Sequence, residues 1–314
     1  MVQIGSSDLD VFPLALGGNV FGWTADREES LAVLDAFAEG GGDHIDTADS
    51  YMWRKPGNSG GESETIIGEW MQTRGRRATT VVATKVSKHP AFPGLSAANI
   101  AAAADASLAR LRTDRIDLYY AHAEDPATPL EESVAAFDRL VRAGKVRYVG
   151  LSNFSADSVR EWLAIADANG YDRPVALQDH YNLVHRNDVE DHLVPLALEE
   201  GLSILPYYAL ASGFLTGKYR TKDDHPGTRQ SAATAYVSPQ GLEIVDALED
   251  IGRDHGVAAA SVALAWLAAK PAVAAPIASA RTRGQLPALL AAGSLTLTPA
   301  EVERLDAVSA WPRP

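Results

Sequence analysis

From residue 13 onward, short β-rich runs alternate with longer stretches whose apolar residues recur three and four positions apart. The short runs predict strands at 13–18, 44–47, 80–86, 116–122, 146–152, 175–178, 202–207 and 273–277. Helices are expected between and after them, at 28–39, 63–73, 97–111, 130–141, 156–168, 188–200 and 242–269. Repetition of strand and helix is the pattern of βα units over a parallel sheet, and eight strands suggest closure into a (β/α)8 barrel, the TIM barrel. Ser96 precedes an alanine-rich run, and Ser155 stands before another helical stretch; both are placed to accept from the orphan N–H groups of a helix start. Residues 2–12 read as a small N-terminal β-hairpin, turning at Gly5-Ser6-Ser7-Asp8, over the N-terminal face of the barrel. Residues 211–240, rich in Gly, Ser, Thr, Lys and Arg, read as a long loop after the seventh strand, lying over the mouth where barrel active sites are assembled. No stretch reads as a linker, so 1–314 is expected to be one domain.

Composition narrows the chemistry. A hydrophobic content of 46% over 314 residues supports a large core, and a formal net charge of -13 disfavours a phosphate-backbone grip on nucleic acid or an anionic membrane. The absence of cysteine excludes a disulfide framework, a thiolate metal site and a catalytic thiol. The first residues show no basic stretch followed by an apolar run, and no segment carries enough uninterrupted apolar residues to span a bilayer. A cytoplasmic protein is the expectation.

Asp46, Tyr51, Lys85 and His122 fall at or just after predicted strand ends in three separate βα units, which is how a barrel mouth is furnished. Singly, each reads as well as a turn residue, a packing ring or a structural histidine. The motifs around them are DTADSY at 46–51, ATK at 83–85 and DLYYAH at 117–122. Further on come GLSNF at 150–154, QDHYN at 178–182, PYYALASGFLTGK at 206–218 and PIASARTRGQ at 276–285. In this order and spacing they resemble the aldo-keto reductase superfamily over almost the whole chain. GNSGGESETIIGEW at 57–70 further resembles the bacterial branch related to potassium-channel β subunits.

The resemblance implies hydride transfer from NADPH to the carbonyl carbon of an aldehyde or ketone, with NADH the second choice. Tyr51 would protonate the carbonyl oxygen, Lys85 would lower the phenol's pKa, Asp46 would hold Lys85, and His122 would orient the substrate. For the cofactor, it implies Ser152, Asn153 and Gln178 at the nicotinamide carboxamide, Tyr207 stacked on the ring, and Gly18 with Asn19 near the ribose. Leu210, Gly213 and Lys218 would cover the pyrophosphate. Ser279, Arg281 and Gln285 would meet the adenosine 2'-phosphate and adenine, where a guanidinium favours NADPH. The chain departs from the family pattern at Gly18 and Asn19, at Tyr208 and Ala209, and at Ala288 and Leu289 beside the expected adenine. Trp23 and Trp53 are the expected pocket aromatics, with Tyr119 a further candidate and core packing an equal contender for all three. No metal site is expected, because the histidines form no ligand set, and the glycine run at 17–22 lacks the spacing of a dinucleotide loop. A small-molecule carbonyl compound is the expected partner, and nothing in the sequence specifies an oligomeric state. Two other readings stand beside this one: a nicotinamide-binding redox sensor or regulatory subunit, and a barrel lyase using Lys85 as a Schiff base.

Overall fold

A computed structural model describes residues 1–223 and 230–310. Its strands are β1 (Val2–Gln3), β2 (Asp10–Val11), β3 (Ala15–Gly17), β4 (His44–Asp46), β5 (Val81–Val86), β6 (Lys88–His89), β7 (Phe92–Pro93), β8 (Ile116–Ala121), β9 (Val146–Ser152), β10 (Ala176–Gln178), β11 (Ser203–Ile204) and β12 (Ile277–Ala278). Eight of them make one parallel sheet in the order β11-β10-β9-β8-β5-β4-β3-β12. The outer strands also reach each other: Ile204 bridges Val273, Ala274 N donates to Ile204 O at 3.0 Å, and Ile277 N donates to Pro206 O at 2.8 Å. The sheet therefore curls until its two edges share hydrogen bonds, and no long edge is left unpaired.

The helices are α1 (Arg27–Glu39), α2 (Glu62–Arg74), α3 (Ala97–Leu111), α4 (Leu130–Arg142), α5 (Ala156–Asn169), α6 (Val194–Glu200), α7 (Gln230–Thr234), α8 (Pro239–His255), α9 (Ala259–Ala268), α10 (Leu286–Leu290) and α11 (Pro299–Val308). Two apolar layers result. One lies between helices and sheet and includes Val82, Tyr119, Phe137 and Trp162; the other lies inside the curl and includes Ala83, Leu118, Tyr120 and Leu205. Each fully buried aliphatic or aromatic side chain contributes on the order of 1.5–3 kcal/mol to holding these layers together. The hairpin of β1 and β2 is antiparallel, and its turn presses on the sheet: a Cβ at Gly5 would fall 2.2 Å from Val175 O, and Gly5 N donates to Ser203 Oγ at 2.7 Å.

Several boundaries differ from the sequence pattern for identifiable reasons. The run expected at 202–207 pairs regularly only over β11, and that at 273–277 contributes Val273 as a single bridge before β12. Pro206 and Pro276 have no N–H for a ladder. The helix expected at 242–269 is two helices, because Gly256 turns left-handed at φ 67° and its N–H closes onto Arg253 and Gly252 carbonyls. The helix expected at 188–200 opens as a π-turn over Val189–Leu193 before α6, whose first turn contains Pro195 and so lacks one donor. Of the long loop expected at 211–240, residues 224–229 lie outside the described residues; α7 and the start of α8 occupy part of the rest. The capping box of Thr298 and Glu301 at the start of α11, and the small hairpin of β6 and β7, went unread in the sequence. Among the described residues, no helix is long and apolar enough to cross a membrane.

Candidate active site

Alternation along the strands decides which side chains meet. In β5, Val82 and Val86 join the outer layer, and Thr84 turns outward to donate to Glu64 of α2 at 2.5 Å; Ala83 and Lys85 therefore face inward. The same parity turns Asp46 of β4, Ser152 of β9 and Gln178 of β10 inward, each at the last position of its strand. Lateral register then aligns them: Asp46 pairs with Ala83 and Gln178 pairs with Ser152. Room in the interior is set by small residues as well, since a Cβ at Gly150 would meet the Tyr120 ring at 2.4 Å.

The result is a buried cation with its three donors in use. Lys85 Nζ donates to Asp46 Oδ2, to Thr47 O and to Tyr51 Oη, each at 2.7 Å, and the lysine side chain is fully buried. Tyr51 Oη donates to Asp46 Oδ2 at 3.1 Å, and Gln178 Nε2 donates to Asp46 Oδ1 at 2.8 Å. The expected lowering of the tyrosine pKa is not what this site produces. Burial, then the Asp46 carboxylate that accepts from the phenol, pushes Tyr51 well above its ordinary value. Lys85 is itself pushed down by burial, with Asp46 opposing that shift. The ammonium is shared among three acceptors, so Tyr51 rests as a protonated phenol. His122 follows β8, and burial, then the charges of Lys85 and Lys88, hold its imidazole well below the ordinary value and hence neutral.

These groups line a cavity of about 800 Å³ that also takes in most of the residues expected to hold a cofactor. Asn19, Ser152, Asn153, Gln178 and Tyr207 contribute to it, as do Leu210, Gly213, Lys218, Ser279, Arg281 and Gln285. Gly18 does not; it packs beneath Ser63, where a Cβ would fall 2.6 Å from the hydroxyl, and Gly17 lines the wall instead. Lys85 stands behind the wall, reaching the cavity through Tyr51. Asn153 is braced by donating to His122 O and Ser152 Oγ, both at 2.9 Å, and by accepting from Tyr207 Oη at 2.7 Å. Behind Tyr207 stands a column the sequence did not reveal: its ring stacks on His180 at 5.7 Å, and His180 stacks on His185 at 3.9 Å. Tyr208, Ser212, Thr216, Tyr219 and Lys88 are further lining residues missed in the sequence, and Ala288 and Leu289 line the wall at the positions that depart from the family pattern.

The pocket aromatics expected from sequence fall elsewhere. Trp23 and Trp53 are half-buried and outside this cavity, with Arg54 stacked over Trp53 at 4.7 Å. Tyr119 faces the outer layer, fully buried, against Phe137 at 5.5 Å. Among the described residues, no group of three or more His, Asp or Glu is arranged to hold a metal ion.

Asp49, buried behind the site, is pushed up to about 8 from an ordinary 3.8, first by burial and then by the Glu64 charge. A carboxyl raised in the folded state stabilises the fold fully below its unfolded pKa and loses that contribution as pH rises through the folded value. Asp49→Asn should therefore flatten the decline of the thermal midpoint between about pH 4 and 8. Parallel wild-type and variant melting profiles would reject that account.

Residues 13–310 match the Aldo/keto reductase family, and the chain belongs to that family of oxidoreductases. It is 35% identical to uncharacterized oxidoreductase YrpG of Bacillus subtilis (strain 168), over 90% of this chain and 87% of that protein. It is 33% identical to a probable voltage-gated potassium channel subunit beta of Oryza sativa subsp. japonica, over 98% of this chain and 95% of the relative. Protein tas of Escherichia coli (strain K12) is 32% identical, with 99% of each chain covered.

Proposed function

We propose that this chain is an NADPH-dependent reductase of aldehydes or ketones, built as one (β/α)8 barrel domain and acting on small carbonyl compounds in the cytoplasm. The observation that carries the reading is the bonding of Lys85 to both Asp46 and Tyr51 at 2.7 Å, with Tyr51 and His122 on the wall of the large cavity.

The donor set suits a phosphorylated dinucleotide. Tyr207 offers a ring face, Ser152 and Gln178 offer groups for an amide, and Lys218 and Arg281 offer cations for phosphates. Gln178 uses one amide proton on Asp46 and keeps its carbonyl as an acceptor. When bound, NADPH supplies the hydride. Tyr51 turns its proton from Asp46 toward the carbonyl oxygen, and Lys85 stabilises the phenolate that remains. The neutral imidazole of His122 orients that oxygen without competing for the proton. Because Lys85 already bonds the phenolic oxygen, charge developing there is met without rearrangement of the cation.

A fluorescence titration with NADPH and NADH, followed by NADPH-consumption assays on aldehydes, ketones and sugar-derived carbonyls, tests the reading. Tight binding with turnover supports it, and failure of every carbonyl compound rejects it. Arg281 is exposed, and its backbone N–H is anchored to Gln285 Oε1 at 2.7 Å. Arg281→Ala should weaken NADPH by roughly tenfold or more, with a smaller effect on NADH, because a charge-assisted hydrogen bond to phosphate contributes about 1.5–3 kcal/mol. Equal losses for both cofactors would reject the contact. The similarity to a potassium channel subunit beta favours a second reading, a slow nicotinamide-binding sensor. Rapid steady-state turnover of a good carbonyl substrate would exclude it.

A further inference from the structure

One cation on the cavity wall has no contact to cofactor or substrate assigned in the reading above. Lys88 opens β6, three residues beyond Lys85, and lines the same cavity as Tyr51 and His122. Its backbone is held by the β6 and β7 hairpin, where it pairs with Pro93, and Gly94 N closes the loop onto Ser87 O at 2.9 Å. Asn99 braces the hairpin from behind through Nδ2, donating to Phe92 O at 2.8 Å and Gly94 O at 2.7 Å. Leu95 N is fixed in turn to Asp125 at 2.7 Å. The lysine is thus exposed on a held support, and among the described residues its ammonium makes no hydrogen bond or ion pair.

Charge on this side of the cavity is not balanced within the protein. Asp46 is paired with Lys85. Asp179 is the acid whose charge acts on Lys88, and burial pushes its carboxyl up to about 7, so it is only partly ionised near neutral pH. His122 accordingly feels the positive charges of Lys85 and Lys88, within a chain whose overall charge is -13. Lys218 and Arg281 cannot account for Lys88 as one more cofactor contact. They come from segments after β11 and near β12, whereas Lys88 follows β5, which is separated from both strands by the intervening members of the sheet order.

We infer that Lys88 is a specificity-determining residue that receives an anionic group, carboxylate or phosphate, carried by the carbonyl substrate. The inference rests on the reductase reading and narrows it to a class of substrate. The anion stays bound to the lysine while the carbonyl lies at Tyr51, so the effect is on substrate affinity more than on the chemical step.

The test uses the full-length enzyme with NADPH and two matched pairs: para-carboxybenzaldehyde against its methyl ester, and glyceraldehyde phosphate against glyceraldehyde. The wild type should favour the anionic member of at least one pair, and which pair identifies carboxylate or phosphate as the recognised group. Lys88→Met should lower that preference about tenfold to a hundredfold, mainly through KM, as expected for loss of a hydrogen bond to a charged group. Lys88→Arg should restore most of it, and raised salt should erode it in the wild type. No preference in either pair, or equal losses on both members in Lys88→Met, overturns the inference while leaving the reductase reading intact. Absence of turnover on all four compounds overturns the inference alone if other aldehydes or ketones are reduced, and removes both readings if none is.

Discussion

Tyr51→Phe is expected to lower kcat for carbonyl reduction by about a hundredfold to ten-thousandfold, the range supplied by a positioned proton donor. NADPH affinity should change little, because the hydroxyl removed is bonded to Lys85 and Asp46 within the protein. The ring itself remains, still within reach of Lys85, whose ammonium lies 4.8 Å from its centroid. Stopped-flow or steady-state rates beside a cofactor titration separate the two effects. Undiminished turnover would remove Tyr51 as the proton donor; a parallel loss of NADPH affinity would mean that the ring has moved.

Lys85→Met should damage both chemistry and stability. It deletes the cation that meets the phenolate, and it leaves Asp46 buried with only Gln178 and Tyr51 as donors. Breaking a buried ion pair by removing one partner costs about 3–5 kcal/mol, because the remaining charge has no compensation. Denaturant unfolding should show a loss of that order, and adding Asp46→Asn should recover part of the stability without recovering activity. A Lys85→Met protein as stable as the wild type would mean that the pair is less enclosed than its geometry indicates. Recovered activity in the double variant would mean that the ammonium does not act on the phenol.

Much of the site was legible because its motifs are short and local. DTADSY carries Asp46 and Tyr51 together, ATK ends a strand, and DLYYAH ends another. Parity within each strand then determines that Asp46 and Lys85 share a side. The direction of the Tyr51 shift was not legible, since it depends on how three acceptors divide one ammonium and on how deeply the phenol lies. That Trp23 and Trp53 lie outside the cavity was not legible either, because a loop's origin at the mouth does not fix where its side chain packs. Lys88 went unnoticed because a lysine in a loop carries no signal until a hairpin points it into a cavity. The stack of His180 and His185 behind Tyr207 likewise joins segments that only the folded chain brings together.

By itself the sequence determined the alternation of strands and helices, the number of strands in the large sheet, and the residue types at their C-terminal ends. Those features follow from periods of two and of about 3.6 residues, which are local properties of the backbone. Tertiary structure alone decided the sharing of Lys85 among its acceptors, the stacking of His180 and His185 behind Tyr207, and the placing of Lys88 on the cavity wall. Each depends on packing and burial summed over distant segments, and no local pattern encodes those sums.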